Sequence, residues 1–418
     1  MIQEQLYDLG NYAFSGAMKL ASFLHPKAKQ FVEGRRGLLS NITTDFKNNT
    51  SPVAWFHCAS LGEFEQGRPV IEAFKEIFNH YKIVVTFYSP SGFEVQKNYD
   101  KADFVYYLPI DTKKNASKFV EAIQPKIAFF VKYEFWHNYL NALKKTSAKI
   151  VSFSTIFRPN QAFFKENGGF QQNMLKQFDY FFTQDQRSFD LLSSININCK
   201  EIAGDTRFDR VAEICAKPKD IPLAAKFSEQ QKVIVVGSSW PLDIDALKKC
   251  VNTTNNIKWI IAPHEISESK INLIKNTFSD KKAITFSTAS LDNIQDFDIL
   301  IIDNVGMLSS LYQFATIAYV GGAFKEGLHN ILEPATFGIP IVIGAEYSKF
   351  NEAISLVERK GVFSIKNGDE CLSIIIRLIE NDNFRSTTGN VTKNYVAENL
   401  GSTEKIISYC KTIISENE

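Results

Sequence analysis

Two stretches of this 418-residue chain carry residue types whose spacing suits chemistry. The first is His57-Cys58-Ala59-Ser60-Leu61-Gly62-Glu63, an apolar run closing on an acid three residues past a serine. A carboxylate held at a strand-to-helix turn can take the proton of an attacking hydroxyl, which is general-base work. The same Ser60-x-x-Glu63 spacing is that of a capping box, with the acid bonded back to the serine backbone. A helix start also favours the ionised carboxylate, which weakens it as a base. Glu65 and His57 are neighbouring rivals for the same role. From the residues alone, catalysis and capping both stay open.

The second stretch runs from Tyr319 through Gly321, Gly322, Gly327, His329, Asn330, Ile331, Leu332 and Glu333 to Pro334. It reads as strand, glycine-rich loop and helix start. Glycines let a backbone approach a ligand, and the free N–H groups of a first helical turn suit a phosphate. Glu333 stands where it could accept ribose hydroxyls. Asn330-x-x-Glu333 also has cap spacing, but a cap leaves three glycines and a histidine unexplained, so nucleotide binding is the expectation. Gly237-Ser238-Ser239-Trp240-Pro241 and Pro263-His264-Glu265 end two other strands and point the same way, though each is also an ordinary turn. Asp243-x-Asp245 resembles a metal-holding pair, yet it lies at a helix start where acids are favoured in any case. No metal site is expected, since the six histidines also lack H-x-x-x-H spacing. Neither a phosphate loop of the G-x-x-x-x-G-K-[ST] kind nor a G-x-S-x-G elbow occurs.

The elements that must position these residues alternate strand and helix. Val53–His57, Lys82–Phe87, Phe104–Leu108, Ile127–Val131, Lys149–Phe153 and Tyr180–Thr183 read as strands covered on both faces. Gly67–Phe78 and Phe135–Lys144 read as helices between them. A second series follows Pro218 and Pro222: Val233–Val236, Trp259–Ala262, Ala283–Phe286, Ile299–Ile302, Ile317–Val320 and Ile341–Ile343. Thr392–Ser415 reads as mainly helical and as able to pack back on the first domain. The expected organisation is an N-terminal amphipathic segment (1–40), a first Rossmann-like domain (41–215) and a second (216–418). Ligands in such sheets lie outside the carboxyl ends of the strands, so a cleft between the domains is expected to hold the site.

Composition narrows the partners. Lys+Arg 47 against Asp+Glu 46 leaves +1, so no global field draws the chain to nucleic acid. The six cysteines lack C-x-x-C spacing, which argues against a disulfide framework or zinc ribbon and suits a reducing cytoplasm. No run reaches the ~18 apolar residues of a spanning helix, and no signal-peptide pattern opens the chain. Ile2, Leu6, Leu9, Ala13, Ala17, Leu20 and Leu24 instead recur at helical period, followed by Lys27, Lys29, Arg35 and Arg36. Such a stripe fits a membrane interface, although from the residues alone a helix docked on its own domain is the commoner reading.

Taken in order, His57–Glu63, Tyr133-Glu134-Phe135-Trp136, Gly204-Asp205-Thr206-Arg207-Phe208-Asp209, Gly237–Pro241, Pro263-His264, Asp303–Leu308 and Gly321–Glu333 resemble the 3-deoxy-D-manno-octulosonic acid (Kdo) transferases of lipopolysaccharide assembly. The resemblance covers nearly the whole chain. It implies an α/β fold of the GT-B kind and an inverting transfer of Kdo from CMP-Kdo to a lipid A precursor (lipid IVA). The place implied is the cytoplasmic side of the inner membrane, with the N-terminal segment on the membrane surface. No cofactor is implied beyond CMP-Kdo as donor substrate.

By the resemblance Glu63 is the proton acceptor, and Glu134 and Arg207 stabilise the transition state. Pro263, His264, Gly306, Met307, Leu308, Asn330, Ile331, Leu332 and Glu333 hold the CMP moiety. Four positions depart from the family's pattern. Lys132 stands where the first acid of Glu-x-Glu is usual, Arg207 where lysine is frequent, and Met307 where glutamate is common. The arginine of Pro-Arg-His-Pro is missing beside His264. Apart from the resemblance, three alternatives fit the residues: a UDP-sugar enzyme of the same fold, a sugar-nucleotide epimerase, and a non-catalytic membrane scaffold.

Overall fold

The computed structural model describes residues 2–165 and 168–415. The side chain of Ile2, first member of the N-terminal stripe, lies outside the described residues, as do Met1 and residues 416–418 of the expected terminal segments. The chain divides into two compact units. One takes the chain up to Arg210 and resumes at Leu400; the other is Val211–Asn399. Prolines 218 and 222 suggested a division at 215/216. It falls earlier, inside the helix Arg207–Ala216, which carries no such punctuation.

The first unit is built on seven parallel strands: β1 (Val53–Cys58), β2 (Lys82–Phe87), β3 (Phe104–Tyr107), β4 (Pro125–Val131), β5 (Lys149–Thr155), β6 (Tyr180–Thr183) and β7 (Lys200–Ile202). Their order is β3-β2-β1-β4-β5-β6-β7. The direction of winding reverses between β1 and β4, so the ligand-binding crevice of this sheet opens at their carboxyl ends. All six residues of β1 are buried. Its side chains alternate between two apolar layers. Trp55 packs with Phe119, Phe130 and Tyr139 on one face, and Phe56 with Phe74 and Phe129 on the other. At ~25 cal/mol per Å² of apolar area removed from water, each ring contributes a few kcal/mol to holding β1 in place.

Helix α1 (Ile2–Ala21) docks on this unit, but not by its apolar stripe. Leu6, Leu9, Leu20 and Leu24 are 60%, 64%, 73% and 91% exposed. The docked face is polar and aromatic. Tyr7 donates its hydroxyl to Asp111 Oδ2 at 2.6 Å and Asn11 Nδ2 donates to the Asp111 carbonyl at 3.0 Å. Asn138 Nδ2 donates to Asp8 Oδ1 at 2.8 Å, and Phe14 meets Phe31 edge-on. A stripe at helical period therefore remains in solvent while its neighbouring face makes the contacts. No helix among the described residues is long and apolar enough to cross a membrane.

Two short helices follow, α2 (Pro26–Glu33) and α3 (Leu38–Phe46), and then α4 (Leu61–Ile77) directly after β1. The unit is completed from the far end of the chain by the helix Ser402–Ser415, whose Ile406, Ile407, Cys410, Ile413 and Ile414 join the Phe56 layer. Asp209 caps that helix, accepting from the N–H groups of Gly401 at 2.8 Å and Thr403 at 2.6 Å. The segment read as mainly helical is so in two pieces: Asp382–Glu398 ends at its cap Asn399, and Gly401, with φ 95°, precedes the last helix.

The second unit carries β8 (Lys232–Ser239), β9 (Ile257–Pro263), β10 (Ala283–Thr285), β11 (Ile299–Ile301), β12 (Ile317–Val320), β13 (Ile341–Gly344) and β14 (Val362–Ile365). They are again parallel, ordered β10-β11-β9-β8-β12-β13-β14. Winding reverses between β8 and β12, so Gly237–Pro241 and the loop after Val320 flank the crevice of this sheet.

Candidate active site

In the first unit the crevice is lined by acids. Glu63 sits in the first turn of α4, after β1. The expected capping box does not form: the Ser60 hydroxyl donates to Glu63 Oε2 and makes no bond to the helix backbone. The other carboxylate oxygen, Oε1, lies 3.9 Å from Lys132 Nζ. Glu134 follows β4, the strand paired with β1, and its side chain is only 14% exposed. Burial, reinforced by the negative charge of Glu63, pushes its pKa up to about 7, against the smaller opposing pull of Trp136 and Lys132. Burial together with a neighbouring carboxylate is how a site keeps a proton on an acid toward neutral pH.

His57, the rival base, is excluded by its surroundings. Its ring is fully buried, its Nδ1 lies 2.9 Å from Thr86 Oγ1, and its Nε2 accepts from Trp136 Nε1 at 2.9 Å. Burial lowers its pKa to about 3. A neutral ring with Nε2 already occupied is a strut for Trp136. Glu65 stands 4.0 Å from Arg68 and its side chain is 40% exposed, outside the buried acid pair.

Arg207 follows β7, with its guanidinium on Asp205: Nε at 2.8 Å and Nη2 at 2.7 Å from Oδ2. Burial would raise the Asp205 pKa, but the arginine's charge and hydrogen bonds prevail and lower it. Gln66, one turn beyond Glu63, donates to Asp205 Oδ1 at 3.1 Å, and its carbonyl accepts the Thr206 hydroxyl at 2.5 Å. Helix α4 is therefore tied to the loop that carries Arg207. The sequence motifs gave no sign of Gln66 or Asp205 as the link.

In the second unit the loops after β8, β9 and β12 meet. The His264 ring stacks on Trp240 with centroids 4.5 Å apart and lies 4.5 Å from the His329 ring. Trp240 Nε1 donates to His329 Nε2 at 3.1 Å. Burial, then the proximity of His264, lowers the His329 pKa to about 4. Trp240 and His329 are additions to the expected binding set, and with His264 they form one cluster of rings. The Ser239 hydroxyl beside them is buried without a hydrogen-bond partner among the described residues.

Asp243 does the work of a clasp. It accepts from the N–H of Trp240 at 2.9 Å and of Gly322 at 2.9 Å, and from the Tyr319 hydroxyl at 2.8 Å. Glycine is required at 322: φ is 93°, and an added Cβ would fall 2.2 Å from the Gly327 carbonyl oxygen. Among the described residues no group of three or more His, Cys, Asp or Glu side chains is placed to hold a metal ion.

Asn330 and Glu333 hydrogen-bond each other at 3.1 Å, and Asn330 Oδ1 accepts from the Leu332 N–H at 3.1 Å. The helix they open, Leu332–Thr336, has only five residues, so its dipole adds little to anion binding. Ile331 and Leu332 have buried side chains, which leaves only their main chain to face a ligand. Gly306 has φ 86° and its carbonyl accepts Lys219 Nζ at 2.6 Å. Met307 precedes the short helix Leu308–Leu311, and Leu308 lies 3.3 Å from where a Cβ on Gly237 would stand. Pro263 ends β9 beside His264, whose N–H donates to the Ser239 carbonyl at 3.0 Å.

Two Rossmann-like units of this kind form the GT-B architecture of glycosyltransferases. The same fold occurs in the UDP-GlcNAc 2-epimerase of Neisseria meningitidis (TM-score 0.62, 13% identity, 86% of this chain and 100% of that one). A family described as 3-deoxy-D-manno-octulosonic-acid transferase (kdotransferase) matches residues 32–210. The 3-deoxy-D-manno-octulosonic acid transferase of Aquifex aeolicus is 28% identical over 343 residues, 79% of this chain and 87% of that protein. That of Chlamydia trachomatis serovar D is 25% identical over 391 residues, 90% of this chain and 89% of its own length. Residues 32–210 thus match the Kdo transferase family, and over most of its length the chain is similar to Kdo transferases, which supports a glycosyltransferase.

Proposed function

We propose that the enzyme transfers Kdo from CMP-Kdo to a lipid A precursor such as lipid IVA, with inversion, in lipopolysaccharide biosynthesis. The observation that carries this reading is the acid pair at the crevice of the first sheet, Glu63 after β1 and Glu134 after β4, with Lys132 beside Glu63. Glu63 takes the proton of a glucosamine 6-hydroxyl. The freed oxygen attacks the anomeric carbon of Kdo, the bond from that carbon to the CMP phosphate breaks, and CMP leaves with the electron pair. Direct displacement by one nucleophile inverts the anomeric centre.

Charge grows on the departing phosphate, where preorganised donors contribute most. Arg207, His264 and the backbone around Asn330 are the donors in this reading, with Glu134 held largely buried beside the base. CMP leaves with one phosphate and less charge than a diphosphate, so the reading calls on no metal. In this reading the Trp240–His264–His329 ring cluster meets the cytosine or its ribose, with Glu333 on the ribose hydroxyls and the backbone at Gly306–Leu308 completing the nucleotide's contacts.

In this reading the enzyme works at the cytoplasmic face of the inner membrane, where its lipid acceptor resides, and the exposed Leu6, Leu9 and Leu20 of α1 support that. Incubation with freshly generated CMP-Kdo and tetraacylated lipid A precursor, followed by mass spectrometry of the lipid, tests the reading. Addition of Kdo is expected. Tighter binding of UDP than of CMP, with no Kdo added, would overturn it in favour of a UDP-sugar enzyme.

A further inference from the structure

A cavity of about 760 Å³ lies in the first unit between α1 and the segment that follows it. That is the size of a small-molecule site. Its walls include Phe23, Phe31, Val32 and Ile110, and its charged lining is Lys19, Lys29, Arg35 and Arg36 against one acid, Glu33. Glu33 lies 4.0 Å from Lys29, which leaves the balance strongly positive.

Arg35 makes this more than a basic surface. Its guanidinium is largely withdrawn from solvent, lying 3.7 Å from the Phe31 ring centroid and 4.8 Å from that of Tyr107. It donates to three carbonyls: Leu108 at 2.8 Å, Phe31 at 3.0 Å and Tyr88 at 2.7 Å. A guanidinium has five N–H groups, so two are left over. No carboxylate among the described residues pairs with it, and burial lowers its pKa only to about 10, so it stays charged. A buried cation without an anion is costly unless something supplies one. Gly34 lets the chain pass: a Cβ there would lie 2.2 Å from Tyr107 Cε2.

We propose that this cavity binds a phosphate of the phosphorylated glycolipid acceptor, an inference that rests on the Kdo-transfer reading. Arg35 forms the floor with its two spare N–H groups, and Lys19 and Arg36 close on the phosphate oxygens from the rim. Phe23, 85% exposed at the mouth, lies against the lipid's apolar part together with Leu20 and Leu24. The site fixes which sugar of the acceptor is presented for transfer, because a phosphate held at one place sets the position of the ring that carries it.

The test uses the full chain and vesicles of neutral phosphatidylcholine doped with one of three lipids: the bis-phosphorylated lipid A precursor, the same lipid enzymatically dephosphorylated, or charge-matched phosphatidylglycerol. The wild type is expected to hold the phosphorylated precursor at least tenfold more tightly than either alternative. The double variant Lys19→Ala/Arg36→Ala, at two exposed positions, removes that preference and leaves affinity for the dephosphorylated lipid unchanged. Equal binding to phosphatidylglycerol, or a preference that survives in the double variant, overturns the proposal. Kdo transfer is assayed separately with the wild type in detergent. A phosphate preference without transfer would reject the transferase reading while retaining the cavity as a glycolipid phosphate site.

Discussion

Lys132 sets its ammonium 3.9 Å from Glu63 Oε1, from a backbone held in the left-handed region at φ 67°. A side chain in that conformation is uncommon. Here its N–H donates to the Phe153 carbonyl at 2.9 Å while the chain turns from β4 toward Glu134. Lys132 thus puts a cation beside Glu63 whose charge also reaches Glu134.

That arrangement makes opposite predictions for two substitutions. Lys132→Met removes a charge that holds the Glu134 pKa down, so the pKa should rise above about 7. Glu63→Gln removes a charge that holds it up, so the pKa should fall. Carbon-13 NMR of labelled glutamate carboxyls reads both shifts. Movement of both in the same direction would refute the electrostatic account.

Removing a general base costs ~10²–10⁴ in rate. Glu63→Gln should therefore lose Kdo transfer by that factor while its affinity for CMP, measured by calorimetry, stays within twofold of wild type. Near-normal turnover would demote Glu63 to a partner of Ser60.

Glu134 also predicts a pH dependence of stability. The folded chain keeps its proton up to about 7, whereas an ordinary glutamate releases it near 4.5. Between those values the native state binds more protons than the unfolded chain, so stability falls as pH rises. Glu134→Gln removes this penalty. Urea midpoints at pH 5 and pH 8 should show the variant gaining about 2–3 kcal/mol on wild type across that interval. A constant difference between the two proteins would contradict the assignment.

The glycine loop gives a test confined to the second unit. Gly322→Ala meets both a positive φ and the Gly327 carbonyl oxygen, whereas Gly327→Ala meets only a φ of 106° in open space. Backbone strain of this kind costs ~1–3 kcal/mol. Both variants should melt lower. Gly322→Ala should also lose at least tenfold in CMP affinity, because it displaces the strand-to-loop clasp at Asp243. Wild-type affinity in Gly322→Ala would separate the loop from the nucleotide.

Deleting residues 1–24 would remove the exposed leucines but would also strip Tyr7 and Asn11 from buried Asp111. Leu20→Ser/Phe23→Ser/Leu24→Ser is the cleaner change, since these side chains are 73%, 85% and 91% exposed. Sedimentation with membranes should drop while the melting temperature holds. Unchanged sedimentation would remove the membrane role from this face.

What the sequence disclosed follows from which forces are local. Strands buried on both faces read as continuous apolar runs, so β2, β6 and β12 appear with the residues expected. The edge strand β7, Lys200-Glu201-Ile202, is partly exposed and two-thirds charged, and it gave no signal. Helix α4 begins six residues before its expected start because Gly67 and Pro69 look like breakers. Both are buried, and a Cβ on Gly67 would lie 3.1 Å from Cys58 Sγ.

In the candidate site, Glu63 stood out as an acid at a strand-to-helix turn, whereas Glu134 entered only through the family resemblance. The Trp240–His264–His329 stack was not, since three loops up to 89 positions apart supply it. The stripe on α1 was legible as a pattern, but periodicity does not say which face a neighbouring carboxylate will claim. Asp111 claimed the side bearing Tyr7 and Asn11.

The helix Ser402–Ser415 closes the Phe56 layer of a unit whose other residues end at Arg210. A ribosome that has finished the first half has thus made a body with one greasy wall still bare. That wall is roofed only after nearly two hundred further residues have been strung together. Chaperone dependence in the newborn chain, relieved when a detached 400–415 peptide is supplied, is the expected consequence of that order of synthesis.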